Sequence, residues 1–209
     1  GQEILVIQIQ GSGAGNYEFA TIATVSGSSL QLQAALSRSY SQGGGSRAQV
    51  LKVPHFNTVS GAVTTSEWNG STGGVVVFRA RTVTGATVDV SSKGFKGGYG
   101  NDAAVHGGYV DGVPQVCASV GDGLAQQGDS PLGTGGCTSS PNGGAGGGSV
   151  NFGSGGGAGN GTGGASGSSG GGSPGQGGST YGSADLGSIF LGSGGGGGTW
   201  GRNPYGGGR

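Results

Sequence analysis

Apolar residues crowd the first half of the chain in short, β-patterned runs and thin out beyond it. Glu3 to Gln10 (EILVIQIQ) is β-branched and partly alternating, the strongest strand signal in the molecule. Gly11 to Asn16 reads as a glycine-punctuated turn. Tyr17 to Val25 (YEFATIATV) follows as a second strand, closed by Ser26-Gly27-Ser28. Leu30, Leu32 and Leu36 continue a third. Arg47 to Val53 (RAQVLKV) is a fourth, ended by Pro54, which has no N–H to give to a ladder. Strands separated by short glycine turns predict an antiparallel β module over residues 1–57.

The texture changes from Thr58. Thr58 to Thr65, Gly74 to Ala80 (GVVVFRA) and Ala86 to Val90 are short strand candidates separated by Gly, Ser and Asn. The apolar run at 75–78 is the pattern of a strand buried on both faces. Short strands at similar spacing, each closed by a small-residue turn, fit the coils of a β-solenoid over 58–100; a continued sandwich is the alternative. The fold class expected is all-β with essentially no helix.

Residues 101–140 read as a Gly/Asp transition that contains Cys117 and Cys137. Joined as a disulfide, these would remove unfolded-state entropy worth about 3 kcal/mol in the loop-closure picture and imply an oxidising location; two free thiols are the alternative.

Residues 141–209 hold more than half of the chain's 58 glycines and only Asp185, Arg202 and Arg209 as charged side chains. Such a composition ordinarily gives flexible coil, because little apolar surface opposes chain entropy. Ordering it costs about 1 kcal/mol or more per residue, beyond what its few large apolar side chains supply. Order therefore requires main chain hydrogen-bonded to neighbouring main chain. Polyproline-II geometry, with three residues per turn and no internal hydrogen bonds, fits that requirement. Residues 141–180 drawn as one such helix would reach roughly 120 Å. A compact chain of this length has a gyration radius near ~17 Å, so the tract must fold back or run along a fibre. Collagen is excluded by the irregular glycine spacing and the scarcity of proline. The cluster Tyr181 to Leu191 (YGSADLGSIFL) interrupts the tract and reads as its anchor, and Tyr181, Phe190, Trp200 and Tyr205 are the docking or contact aromatics.

Charge changes the picture only by exclusion. Nine basic and nine acidic side chains cancel, leaving no footprint for nucleic acid or an anionic membrane. No apolar run is long enough to span a bilayer. The chain opens at Gly1 without a leader, and upstream sequence is expected to have been removed or not included.

Candidate chemistry is sparse. His55 and His106 lack metal-ligand spacing. Asp102, Asp111, Asp122 and Asp129 form a loose acidic series without a calcium-loop pattern; calcium is the one cofactor it would suit, and solvated turns are the other reading. Gly11 to Gly15 (GSGAG) lies between strands rather than before a helix, so a hairpin is expected and not a phosphate cradle. No nucleophile elbow or Ser–His–acid set stands out, Glu3, Glu18 and Glu67 are not placed as a glycosidase pair, and no enzyme is expected. Asn69 and Asn160 begin Asn-Gly-Ser and Asn-Gly-Thr glycosylation patterns, which chance also produces in such a composition.

EILVIQIQGSGAGNYEFATIATVSGSSLQL, AQVLKVPHF, WNGSTGGVVVFRA, GFKGG and YGSADLGSIFLGSGGGGG together resemble a family of large secreted bacterial glycine-rich surface proteins of the adventurous-gliding type. The last of these pieces also resembles the polyglycine-II domains of anaplastic lymphoma kinase ectodomains and phage tail-tip adhesins. The resemblance implies an extracellular structural or adhesive role.

The function expected is an extracellular or cell-surface structural protein that self-assembles into a filament or surface fibre. Its strand Glu3, Ile4, Leu5, Val6, Ile7, Gln8, Ile9, Gln10 would offer an edge to a neighbouring copy while the glycine helices pack within or between subunits. An adhesin of the tail-tip type, binding a cell-surface glycan or protein, and an ice-binding protein are the alternatives.

Overall fold

The structure, a computed structural model, describes residues 1–97, 154, 156–157, 161–168, 174–182 and 185–196, together with the backbone of four short strands elsewhere. The described part is all-β and contains no helix. The chain forms two compact units, Gly1–Gly94 with Ala184–Leu191, and Phe95–Ser183 with Gly192–Arg209.

The first unit opens with β1 (Glu3–Gln10), β2 (Tyr17–Ser26), β3 (Ser29–Leu32) and β4 (Arg47–Lys52). They form one curled antiparallel sheet in the order β3-β2-β1-β4. β1 is the hub, with Leu5 opposite both Phe19 and Leu51, and every residue from Ile4 to Gln10 buried. Cross-strand partners share a face, so Leu5 and Ile7 lie with Tyr17, Phe19, Gln49 and Leu51. The other face carries Ile4, Val6 and Gln8.

Burying Gln8 on a central strand requires partners for its amide. Its Nε2 donates to the carbonyls of Gln10, Ser41 and Arg47 at 2.8–3.1 Å, and its Oε1 accepts from the Ser41 N–H at 2.8 Å. Glu18 holds the same connection by accepting from the N–H groups of Ser37 and Arg38. On the opposite face, Gln49 exchanges two 3.0 Å hydrogen bonds with the Gly73 backbone, fixing the turn that contains the fully buried Trp68.

Next come β5 (His55–Val59), β6 (Ala62–Val63), β7 (Arg79–Val83) and β8 (Thr87–Val88). β5 pairs with β7 and β6 with β8, both parallel, with partner numbers offset by 24 in the first pair and 25 in the second. Single hydrogen bonds extend the stack at both ends, from Arg79 N–H to Pro54 O and from Trp68 N–H to Lys93 O. Residues 54–68 therefore lie alongside 79–93 in the same direction. Gly61 and Gly85, at φ +90° and +62°, turn the chain between the strands of each layer.

The strand expected over Gly74 to Ala80 is not formed as such. Val75 to Phe78 are half-buried and outside any ladder, and the strand starts only at Arg79. Gly73 and Gly74 take left-handed conformations, and the Gln49 amide occupies the polar groups of Gly73 in place of a strand partner.

In the second unit, β9 (Asn101–Asp102) pairs in parallel with a strand near the end of the chain, Thr199–Trp200, and β10 (Gly108–Val110) forms an antiparallel pair with β11 (Val113–Gln115). The Thr199–Trp200 strand is β12. Three glycine-rich stretches bond to one another in a cycle. Ser154 and Gly157 donate to Ser168 and Ala165; Gly164 and Gly167 to Gly178 and Gly175; Gly175 and Gly178 to Ser154 and Gly157, all at 2.7–3.0 Å. Donors in each stretch are three residues apart. A Cβ on Gly156 would collide with the Gln176 carbonyl, and one on Gly177 with that of Gly164. A fourth stretch joins through Gly196 N–H to Gly156 O and Phe95 N–H to Gly192 O.

Candidate functional site

The strand expected to offer its edge to another chain does not have one. β1 is bonded to β2 on one side and β4 on the other, and all but its first residue is buried. A strand with apolar residues on both faces is suited to the middle of a sheet, where two neighbours cover it. Among the described residues, unpaired ladder edges belong instead to the sheet margins and to the outer sides of β5 and β7.

The stacked pair β5–β7 is the most exposed sheet in the first unit. Phe56 is 48% and Val83 57% exposed, and Val88 and Val90 further along the chain are exposed as well. Phe56 meets Phe78 edge to face at 6.4 Å. The register sets His55 beside Arg79, and both reach Glu3. His55 Nε2 lies 2.6 Å from Glu3 Oε2, while Arg79 donates to Glu3 Oε1 at 2.9 Å and stacks over the Phe19 ring at 4.3 Å. The Arg79 guanidinium, then His55, holds the Glu3 carboxyl below its ordinary range. These contacts pin the stack to the face of the first sheet. His55, Phe56, Asn57, Arg79, Ala80 and Arg81 line an open depression of about 470 Å³. A second, of about 390 Å³, runs from Gly1–Glu3 to Lys52–His55.

A distant segment docks on the same unit. Tyr17 Oη donates to Leu186 O at 3.1 Å, and Ile189 N–H donates to Gly15 O at 2.9 Å. The Phe190 ring lies against Gly15, and Leu191, 5% exposed, lies against Gly74. A Cβ at either glycine would strike the apolar side chain. Phe190 is thus turned inward onto its own unit. Tyr181 is half-buried in the second unit, where burial raises its hydroxyl pKa.

Asn69 is exposed and caps its own turn, its Oδ1 accepting from the N–H groups of Ser71 and Thr72 at 2.9 Å. Cys117, Cys137, Asn160, Tyr205, the side chain of Trp200, and the side chains of Asp102, Asp111, Asp122 and Asp129 lie outside the described residues. Among the described residues no cluster of three or more His, Cys, Asp or Glu is placed to hold a metal ion. No helix among them is long and apolar enough to cross a membrane.

No family model, curated protein or solved structure matches the chain.

Strand patterning alone does not reveal the stack, but an internal repeat marks it. Thr58-Val59-Ser60-Gly61-Ala62 and Thr82-Val83-Thr84-Gly85-Ala86 are near-copies at the spacing that the ladder uses. The same tetrapeptide pattern, Thr24-Val25-Ser26-Gly27, also makes the β2–β3 hairpin, so the motif marks a turn and its partner decides which kind.

Proposed function

We propose that this is an extracellular structural protein whose copies assemble into a filament, by continuing between chains the parallel stacking found within one. The observation that carries the reading is the β5–β7 pair, two similar layers in register with both outer ladder edges unpaired among the described residues. In this reading the layers are coils of a β-solenoid. The outer edge of β5 in one copy meets that of β7 in the next, a head-to-tail contact that does not close on itself. The glycine stretches, bonded at every third residue to two neighbours each, support a polyglycine-II packing that stiffens the subunit. The resemblance to secreted glycine-rich surface proteins points the same way.

Electron microscopy of a Val83→Pro chain tests this. Thr84 donates its N–H to Val59 O on β5, so alternation turns the Val83 N–H outward, where proline blocks an incoming strand and leaves the internal ladder intact. Wild-type rods and isolated Val83→Pro particles are the expected result. Rods of equal length in both samples would refute the contact.

A second reading, an adhesin for a surface glycan or protein, draws on the depression beside Phe56 and Arg81. Discrete particles that bind such a surface would favour it.

A further inference from the structure

We infer that the open depression on the β5–β7 pair is a binding site for a carboxylated polysaccharide, and that Arg81 is the residue that takes the carboxylate. This names the ligand class for the adhesin reading and rests on that reading. It does not depend on whether copies join into rods.

The depression carries a cation that has no counter-charge among the described residues. Side chains alternate along a strand, so Arg79 and Arg81 stand on the same side of β7. The register sets His55 beside Arg79 and, between the pairs Phe56–Ala80 and Thr58–Thr82, Asn57 beside Arg81. Glu3 is the acidic group that reaches this row, and both of its oxygens are occupied, Oε2 by His55 and Oε1 by Arg79. Arg81 and Asn57 are exposed and have no hydrogen-bond or ion-pair partner among the described residues.

The two arginines therefore do different things. Arg79 is held by Glu3 and by the Phe19 ring at 4.3 Å, which makes it a fixed wall. Arg81 keeps its planar fork of N–H donors open, and that fork matches the two oxygens of a carboxylate. The Asn57 amide beside it offers a donor and an acceptor together, which is what a sugar hydroxyl needs.

Strength and shape select a polymer. A single exposed ion pair is weak, so one such site retains little of a small carboxylate. A chain with carboxylates on successive sugars engages many copies at once and gains by avidity. The depression, about 470 Å³ and open, lets such a chain lie across it. Nucleic acid and anionic bilayers are poorer fits, because they are held by clusters of cations and here one is free.

The test is affinity electrophoresis of the full-length protein through gels that contain polygalacturonate, its methyl ester or dextran sulfate. Retardation by polygalacturonate and none by the methyl ester is expected, weakening as salt screens the exposed charges. Arg81→Gln should weaken the affinity about tenfold, and Arg81→Lys, which keeps the charge and loses the fork, about threefold. Lys93→Gln removes an equal charge beside Asp89 and should change nothing; equal losses in the two glutamine variants would overturn the site. If Arg81→Gln fails to fold, Asn57→Ala reads the same site, and an undiminished affinity there would overturn it. Equal retardation by the methyl ester, or a stronger one by dextran sulfate, would sink this inference and leave the adhesin reading. No retardation in any gel would also sink it, and binding to neutral glycans then decides the adhesin reading separately.

Discussion

Thr58 is the ladder partner of Thr82, and the five residues that begin at each are near-copies ending in a glycine turn and an alanine. Two layers of one chain thus recognise each other through similar sequence. A surface that pairs with its own likeness is a surface that another copy can use, which is why the proposed assembly contact lies here and not on β1.

Trp68 is the largest fully buried side chain, and its N–H ties the first layer to Lys93 in the second. Trp68→Ala should lower stability by about 3–5 kcal/mol, the usual range for emptying an aromatic core site. Urea unfolding checks it, with an unchanged dependence on denaturant showing that compactness is kept.

Gln8→Leu preserves volume but strands the Ser41 N–H and three carbonyls that the amide now serves. A loss of about 2–4 kcal/mol is expected, since each buried unsatisfied group costs about 1–3 kcal/mol and water reaches some of them. Amide exchange at Ser41 should quicken at the same time. An equally stable variant would show that the connection is held by Glu18 alone.

Two glycines of the second unit give a matched comparison. A methyl on Gly177 meets the Gly164 carbonyl, whereas one on Gly161 meets open space. Gly177→Ala should accelerate amide exchange at Gly164, Gly167 and Gly178, and Gly161→Ala should leave it unchanged. Equal behaviour of the two variants would remove the case for close main-chain packing.

Acid should weaken the first unit through Glu3 and Glu18. Both carboxyls are held low, Glu3 by Arg79 and then His55, Glu18 first by the Ser37 backbone N–H. A depressed folded value gives stability that is complete above the unfolded value and lost as pH falls through the folded one. The acid limb therefore begins below about pH 4.5, and Glu18→Gln should flatten part of it. At the other end, burial and the Glu18 carboxylate push Tyr40 up to about 12. Its phenol ionises first in the unfolded chain, so stability falls from about pH 10 upward, and Tyr40→Phe should remove that limb. Chemical denaturation across pH measures both.

The first sheet was legible because alternation and glycine turns are local signals: β1, β2 and β4 fall within a residue of where the pattern puts them, while β3 stops at Leu32 and does not reach Leu36. The place of β1 was not legible. A strand buried on both faces reads the same whether its second neighbour is β4 or another molecule. Val75 to Phe78 misled for a related reason: an apolar run signals burial, and here two left-handed glycines and the Gln49 amide deny it a ladder. The docked segment was visible only as an apolar island among glycines. Nothing in its own residues names Gly15 and Gly74 as its seat, since a glycine socket leaves no side-chain signature.

X-ray fibre diffraction from aligned assemblies tests the stacking most directly. Layers added one above another across chains place strands perpendicular to the growth axis, and a strong reflection at about 4.8 Å along that axis is the expected result. A pattern with that spacing only across the axis, or a preparation that yields no fibre to align, would contradict the account.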